Sequence, residues 1–396
     1  MVSSWLPETS VPRIAMLTYS SKPRGGVVHA LQLTEALWRS GESIHLFGLG
    51  DPEGGFYRAT DIPFTLFPAP GKEGTLEDRV FEAAKRMVEG LRDIARNYDV
   101  LHAQDCIAAQ AALQLHEQAP HTVVVRTVHH VDDFTTPALI ECQNRSIVAP
   151  HYVLVPSEYW RRRLRDDFGV DAQVIHNGVN IDDYRLGRGV STKKLRQQIG
   201  AEKRFLFLSV GGIEPRKGSM ELIEAIGILK SRKVATKVAV VGGHSFQDHK
   251  VYRDRVLRRA EELHLEEDGH LVVLGTVSQE ELVGWYRAAN AFVFPSVKEG
   301  WGLSVLEALA VGLPVVATDI PVFREYLEDE KTALLFRKGD PMALAATMHR
   351  IATDANLRDR LSKVGPKVAS RYTWESCAEQ HRAIYRRLLG ERVAGL

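Results

Sequence analysis

This sequence predicts a two-domain α/β protein with parallel sheets, on three observations. Short apolar, β-branched runs recur along 396 residues, each followed by glycine or polar residues and then by apolar positions at helical spacing. The series runs twice, from Arg13 and again from Phe205, and a polar stretch from Asn180 to Gly200 separates the two. The length suits two or three domains of about 150 residues each. A content of 44% hydrophobic and 26% charged residues is that of a folded chain.

The first run, Arg13 to Tyr19, leads through Gly25-Gly26 to Val27–Ser40, where Val27, Ala30, Leu31, Leu33, Leu37 and Trp38 recur at near-helical spacing. Further strands are expected at 43–47, 99–103, 122–128, 152–156 and 173–176. The second series begins at Phe205–Val210 and continues at 237–241, 271–274, 291–295 and 314–317, with a helical run from Met220 to Lys230. We therefore place a first Rossmann-like domain at 1–182, a second at 201–374 and a linker at 183–200. Two doubly wound sheets facing across a cleft follow, with ligands expected at the carboxyl ends of the strands.

Charge narrows the partners. Residues 1–182 hold 17 Lys plus Arg against 23 Asp plus Glu, a net −6, and the rest holds 34 against 27, a net +7. The second half is the expected anion binder, while an overall charge of +1 argues against nucleic acid as the main partner. Cys106, Cys142 and Cys377 form no CxxC pair or dense ladder, which argues against a disulfide framework or structural zinc and for a reducing, cytoplasmic setting. The N-terminus lacks the pattern of a secretion signal, and no apolar run approaches the about 18 residues of a membrane span. The basic run Arg161–Arg165 reads as a solvated helix face rather than an anchor, and peripheral membrane contact stays open.

Two loops carry the candidate chemistry. In Ala291–Ala310 a buried strand ends near Pro295, a loop presents Glu299, Gly300, Trp301 and Gly302, and a helix begins near Leu303 with Glu307 in its early turns. Glycines admit a ligand close to the backbone, helix-start N–H groups favour anionic oxygens, and carboxylates accept hydrogen bonds from sugar hydroxyls. In Ser209–Gly218, Arg216 and Lys217 sit on a glycine-flanked loop after a strand, where Arg as a fork and Lys as a point charge could clamp a diphosphate. This segment has neither the G-x-x-x-x-G-K-[ST] nor the G-x-G-x-x-G pattern.

In the first half, Thr127–Phe134 follows an apolar strand, and one of His129 and His130 is expected to point into the cleft, where a neutral imidazole donates to or accepts from a hydroxyl. His102 reads as a supporting, satisfied histidine. Asp132-Asp133 is expected to cap the next helix or hold a histidine, with Asp133 on the acceptor side, and no D-x-D metal motif occurs.

The chain resembles the retaining glycosyltransferases of glycosyltransferase family 4, which have the GT-B architecture. Glu299–Glu307 is similar to that family's E-x7-E signature with its E-G-[FW]-G-L opening. The resemblance extends through Gly25-Gly26, Asp99–Ala103, Thr127–His129, Val155–Ser157, His176–Val179, Glu214–Gly218 and Gly312–Ala317. It implies hexosyl transfer from a UDP-, GDP- or ADP-sugar to a small-molecule, glycan or lipid acceptor, with no metal and no cofactor beyond the donor. It further implies that Arg216, Lys217, Gly26 and the amides near Gly302 and Leu303 hold the diphosphate. Glu299 would hold the donor sugar near the reacting centre with Gly300 and Trp301 among the donor contacts, Glu307 the ribose and the backbone at Thr276 and Val277 the base, and His129 would position the sugar or contact the reacting region. The final helix, 375–396, would cross back over the first domain. Where the family usually has Gly-Arg this chain has Gly211-Gly212, so Arg216 would have to supply the missing charge. A sugar-nucleotide epimerase, a phosphorylase or a non-catalytic binding protein on the same architecture are the competing readings.

Overall fold

The computed structural model describes residues 11–71, 73–186, 190–243 and 249–393, and the chain divides into two compact units. The first takes in the chain to Pro156, Arg161–Ile175 and the chain from Trp374. The second takes in Ser157–Trp160 and His176–Thr373.

In the first unit, β1 (Arg13–Thr18), β2 (Ser43–Gly50), β3 (Phe64–Pro68), β4 (Val100–Ala103), β5 (Val123–Thr127), β6 (Tyr152–Val155) and β7 (Gln173–Val174) form one parallel sheet in the order β3-β2-β1-β4-β5-β6-β7. The helices are α1 (Gly25–Arg39), α2 (Leu76–Leu91), α3 (Cys106–Gln118), α4 (Pro137–Val148) and α5 (Glu158–Phe168). Val and Leu open β4 and β5 because both faces of a parallel sheet are covered by helices, and the polar residues that follow, His102, Arg126 and Thr127, are buried with them. Strand order reverses between β1 and β4, which opens a crevice at their carboxyl ends.

The second unit repeats this plan. It begins with α6 (Ile181–Leu186) and α7 (Thr192–Gln198) and continues with β8 (Phe205–Val210), α8 (Ser219–Ser231), β9 (Thr236–Val241), α9 (Lys250–Glu262), β10 (Leu271–Gly275), α10 (Gln279–Ala288), β11 (Ala291–Phe294), α11 (Leu303–Val311), β12 (Val315–Thr318), β13 (Leu334–Phe336), α12 (Pro341–Thr353) and α13 (Ala355–Ala369). Its sheet order, β10-β9-β8-β11-β12-β13, reverses between β8 and β11. Phe207, Ile226, Val238, Val293 and Met348 lie in the core that holds α8 and α12 against the sheet.

The structure departs from the sequence reading at four places. Strands β3 and β13 were not expected: one is a half-exposed edge strand and the other has three residues, so neither shows a long apolar run. The unit boundary falls at Ile175/His176 rather than at 182. The expected linker carries α6 and α7, with residues 187–189 outside the described ones. Leu195 is buried there, and Arg196 donates to the carbonyls of Ala288, Ala201 and Arg204; the polar composition serves anchoring. Finally, Asp132-Asp133 does not cap α4, whose N-cap is Thr136 with Pro137 next. The other alternative holds, since Asp132 pairs with His130 at 3.3 Å.

The last helix, α14 (Trp374–Val393), belongs to the first unit and packs on α1; residues 394–396 of the predicted segment lie outside the described ones. Arg382 and Arg386 on α14 reach the buried Glu42 at 2.7 and 3.0 Å. Glu42 is buried and the two arginines are partly exposed, so they compensate its charge jointly and tie α14 to the end of α1. On α5 the arginines Arg162, Arg163 and Arg165 are exposed, and Arg163 pairs with Asp167 one turn on at 2.6 Å, the geometry of a solvated face.

Candidate functional site

The reversal of strand order between β8 and β11 brings the two candidate loops of the second unit together. After β8 the chain runs Gly211–Glu214 into a single 3-10 turn, Pro215–Lys217, and enters α8 through Gly218 in the left-handed region at φ 64°. A Cβ on Gly218 would stand 2.1 Å from the Pro295 carbonyl oxygen, so only glycine lets this turn lie against the end of β11. Val297 N and Ser296 Oγ then donate to the Arg216 carbonyl at 2.8 and 2.9 Å, tying the loops through one backbone and one side-chain hydrogen bond.

Glu299 is the focus of this junction. Its Oε1 accepts from Lys217 Nζ at 2.5 Å, Ser296 Oγ at 2.6 Å and Arg216 Nη1 at 3.3 Å. Its carbonyl accepts from Trp160 Nε1 at 2.8 Å. Burial alone would push the Glu299 carboxyl up. The charges of Lys217 and Arg216, with hydrogen bonds from Lys217 and Ser296, outweigh burial and hold it down at about 2. Burial and the neighbouring Arg216 lower the Lys217 ammonium, against the pull of Glu299, and the ammonium also lies 4.7 Å from the centre of the Phe294 ring. Arg216 is more open and pairs with Glu214 at 3.1 Å as well as with Glu299.

Helix α11 starts at Leu303 behind Gly302, which takes φ 95°. The first amides of a helix have no partner within it, which makes this start a natural seat for anionic oxygens. Glu307, one turn on and half-buried, accepts from Tyr286 Oη at 2.7 Å, and burial raises its carboxyl despite the hydrogen bonds from Tyr286 and Tyr184. The carboxyl ends of β8, β9 and β10 abut: a Cβ on Gly212 would lie 2.5 Å from the Gly243 oxygen, and one on Gly243 would lie 2.5 Å from Thr276 Oγ1. A side chain at Gly212 would meet this crowding, including Glu214 Oε1 at 2.9 Å.

The sequence-predicted residues sort by place. Arg216, Lys217 and Glu299 converge; Gly300, Gly302, Leu303 and Glu307 share the adjoining loop and helix; Thr276 is exposed and Val277 half-buried at the end of β10. Trp301 departs from its expected role of donor contact, because its side chain is 2% exposed and stacks on His176 with ring centres 4.4 Å apart. It supports the loop from beneath, and only its backbone can face a ligand. In the first unit, Gly26 on α1 lies against His129, whose Cδ2 would be 3.5 Å from a Cβ at that glycine. Asp133 is exposed on the loop before α4. His102 is satisfied as expected, by Thr127 at 2.7 Å and Tyr385 at 2.6 Å.

Sequence reasoning overlooked Ser296, which binds both loops, Tyr286, which holds Glu307, and Gln104, which holds His129 at 3.1 Å. Ser296 and Gln104 each follow a predicted strand closely, and that position in a doubly wound sheet was the available signal.

Two doubly wound parallel sheets are the GT-B architecture, and the family models that match them make the protein a glycosyltransferase. Two family models match most of the chain, one described as Glycosyltransferase Family 4 over residues 23–183 and one as Glycosyl transferases group 1 over 191–368. The chain belongs to glycosyltransferase family 4. It is 27% identical over 383 residues to the phosphatidyl-myo-inositol mannosyltransferase of Mycobacterium leprae, covering 94% of this chain and 96% of that protein. It is 26% identical to the D-inositol 3-phosphate glycosyltransferase of Xylanimonas cellulosilytica, over 98% of this chain and all of that one, 100%. Among solved structures, sucrose-phosphate synthase from Thermosynechococcus elongatus superposes with a TM-score of 0.80 at 22% identity, covering 96% of this chain and 99% of that one. HepE of Anabaena in complex with UDP and glucose superposes at 0.77 and 21%, over 97% of this chain and 100% of that one.

Proposed function

We propose that this glycosyltransferase moves a hexosyl group from a nucleoside-diphosphate sugar to an acceptor hydroxyl with retention at the anomeric carbon. The single observation behind this reading is the convergence of Lys217, Arg216 and Glu299 where β8 and β11 reverse the strand order. Two cations and a row of helix-start amides can take up the charge that grows on a departing diphosphate, which assigns charge compensation to side chains rather than to a metal. Glu299 stays ionised at physiological pH and can accept from sugar hydroxyls, while Lys217 exchanges its carboxylate partner for phosphate oxygens. Glu307, oriented by Tyr286, is assigned to the ribose diol, the backbone at Thr276 and Val277 to the base, Gly26 to the diphosphate and His129 to the donor sugar. The names of the relatives support a hexosyl donor and a polyol or lipid-linked polyol acceptor, and the HepE complex supports a uridine diphosphate.

A thermal-shift panel of UDP, GDP, ADP and their glucose and mannose conjugates tests the reading. A nucleotide at a hundred times its Kd stabilises by about 2.7 kcal/mol, and Lys217→Ala and Glu307→Ala should each weaken that response. If no nucleotide shifts the folded wild-type protein, the proposal fails.

A further inference from the structure

Gln104 follows β4 directly, is 1% exposed, and joins the site only through its contacts. Its amide nitrogen lies 3.0 Å from Met16 Sδ and 3.1 Å from His102 Nε2, and its oxygen lies 3.1 Å from His129 Nε2. A thioether sulfur can only accept, so the amide must turn its N–H2 toward Met16 and its oxygen toward His129. With the amide so turned, the His102 Nε2 lone pair is shared between it and the Thr127 hydroxyl, 2.7 Å away, which assigns the ring proton to Nδ1, 2.6 Å from Tyr385 Oη. An oxygen facing His129 Nε2 can be satisfied only by a proton on that nitrogen. The other ring nitrogen, Nδ1, makes no hydrogen bond among the described residues, and the residue as a whole is partly exposed.

We propose that Gln104 is a positioning residue that locks His129 as the Nε2–H tautomer, so that the imidazole meets a substrate hydroxyl through Nδ1 as a hydrogen-bond acceptor. Burial first, and then the charges of Arg126, His130 and His102, hold the His129 imidazole well below the usual histidine range, which keeps Nδ1 unprotonated at neutral pH. His29 packs edge-on against His129 with ring centres 4.7 Å apart and fixes the ring plane. The amide, His102, Thr127 and Tyr385 form one chain of hydrogen bonds that ends on α14, so the last helix of the chain takes part in setting the proton on a residue of the proposed site. The substrate class follows: the group that meets His129 carries a hydroxyl hydrogen to give, as a sugar or polyol does, and a carboxylate or phosphate oxygen is a poor match. This deepens the proposed role of His129 and rests on it.

The test is nitrogen-15 NMR of histidine-labelled full-length protein without nucleotide, with the His129 signals identified by their loss in His129→Ala. The wild type should show a pyrrole-like Nε2 bearing a slowly exchanging proton and a pyridine-like Nδ1. Gln104→Leu should lose the protected proton and move both nitrogens toward the values of a tautomeric mixture. Gln104→Asn, shorter by one methylene, should do the same and serves if the leucine variant does not fold. A wild-type Nδ1–H tautomer, an averaged ring, or a protected Nε2–H that persists without Gln104 overturns the proposal. Failure of the transferase reading shows elsewhere, in a nucleotide panel that does not respond to Lys217→Ala.

Discussion

Replacing Glu299 by glutamine removes the one charge to which Lys217, Arg216 and Ser296 all point, while keeping the size and shape of the side chain. The wild-type carboxyl lies at about 2 against an ordinary 4.5. At about 1.4 kcal/mol per pKa unit, the ionised form is favoured in the fold by roughly 3 kcal/mol. The side chain is 9% exposed, so solvent screens little of this. Because the folded-state value is depressed, the contribution is complete above the unfolded value and is lost as pH falls through the folded one. Glu299→Gln should therefore lower unfolding stability by about 3 kcal/mol at pH 7. The gap to wild type should narrow from about pH 4.5 and close near pH 2. Urea midpoints of the two proteins across this range give the difference directly, and urea, being uncharged, leaves the ion pairs unscreened. A gap that stays constant from pH 7 to pH 3 would refute the argument, since it would mean that the cluster holds Glu299 by shape and not by charge.

Three more outcomes follow from particular contacts. Gly218→Ala should lower the urea midpoint by an amount equal to at least about 2 kcal/mol, because the new Cβ would stand 2.1 Å from the Pro295 oxygen in a left-handed backbone. Tyr385→Phe leaves buried His102 Nδ1 without its 2.6 Å partner and should cost about 1–3 kcal/mol, seen as a lower thermal midpoint. In Tyr286→Phe the Glu307 carboxyl loses a stabilising donor and should titrate higher still, which carbon-13 NMR of the carboxyl reads; nucleotide-induced stabilisation should shrink with it.

Much of the fold was legible in the sequence because parallel strands covered on both faces must be apolar throughout. The predicted run 205–210 coincides with β8, and the runs at 152–156 and 271–274 differ from β6 and β10 by one residue each. The glycines at 211–212, 218 and 302 and the cations at 216–217 marked the loops that matter, since a left-handed turn and a paired charge are local chemical needs. Strands β3 and β13 left no trace because an edge strand or a three-residue strand needs no long apolar run.

What the tertiary structure alone decided is which side chains meet. Lys217 and Glu299 lie 82 positions apart and Gln104 and His129 25 apart. Their contacts exist because β8 pairs with β11 and β4 with β5, a choice of strand order that periodicity cannot report. The tertiary structure also turns Trp301 inward, gives α6 and α7 to the second unit and sets α14 on α1. Residue type and spacing therefore announced a parallel α/β protein and its loops, because burial and turn geometry are written locally, and the family resemblance added the transferase reading. The proton on His129 and the charge on Glu299 are properties of neighbours brought from distant parts of the chain, and only folding supplies those neighbours.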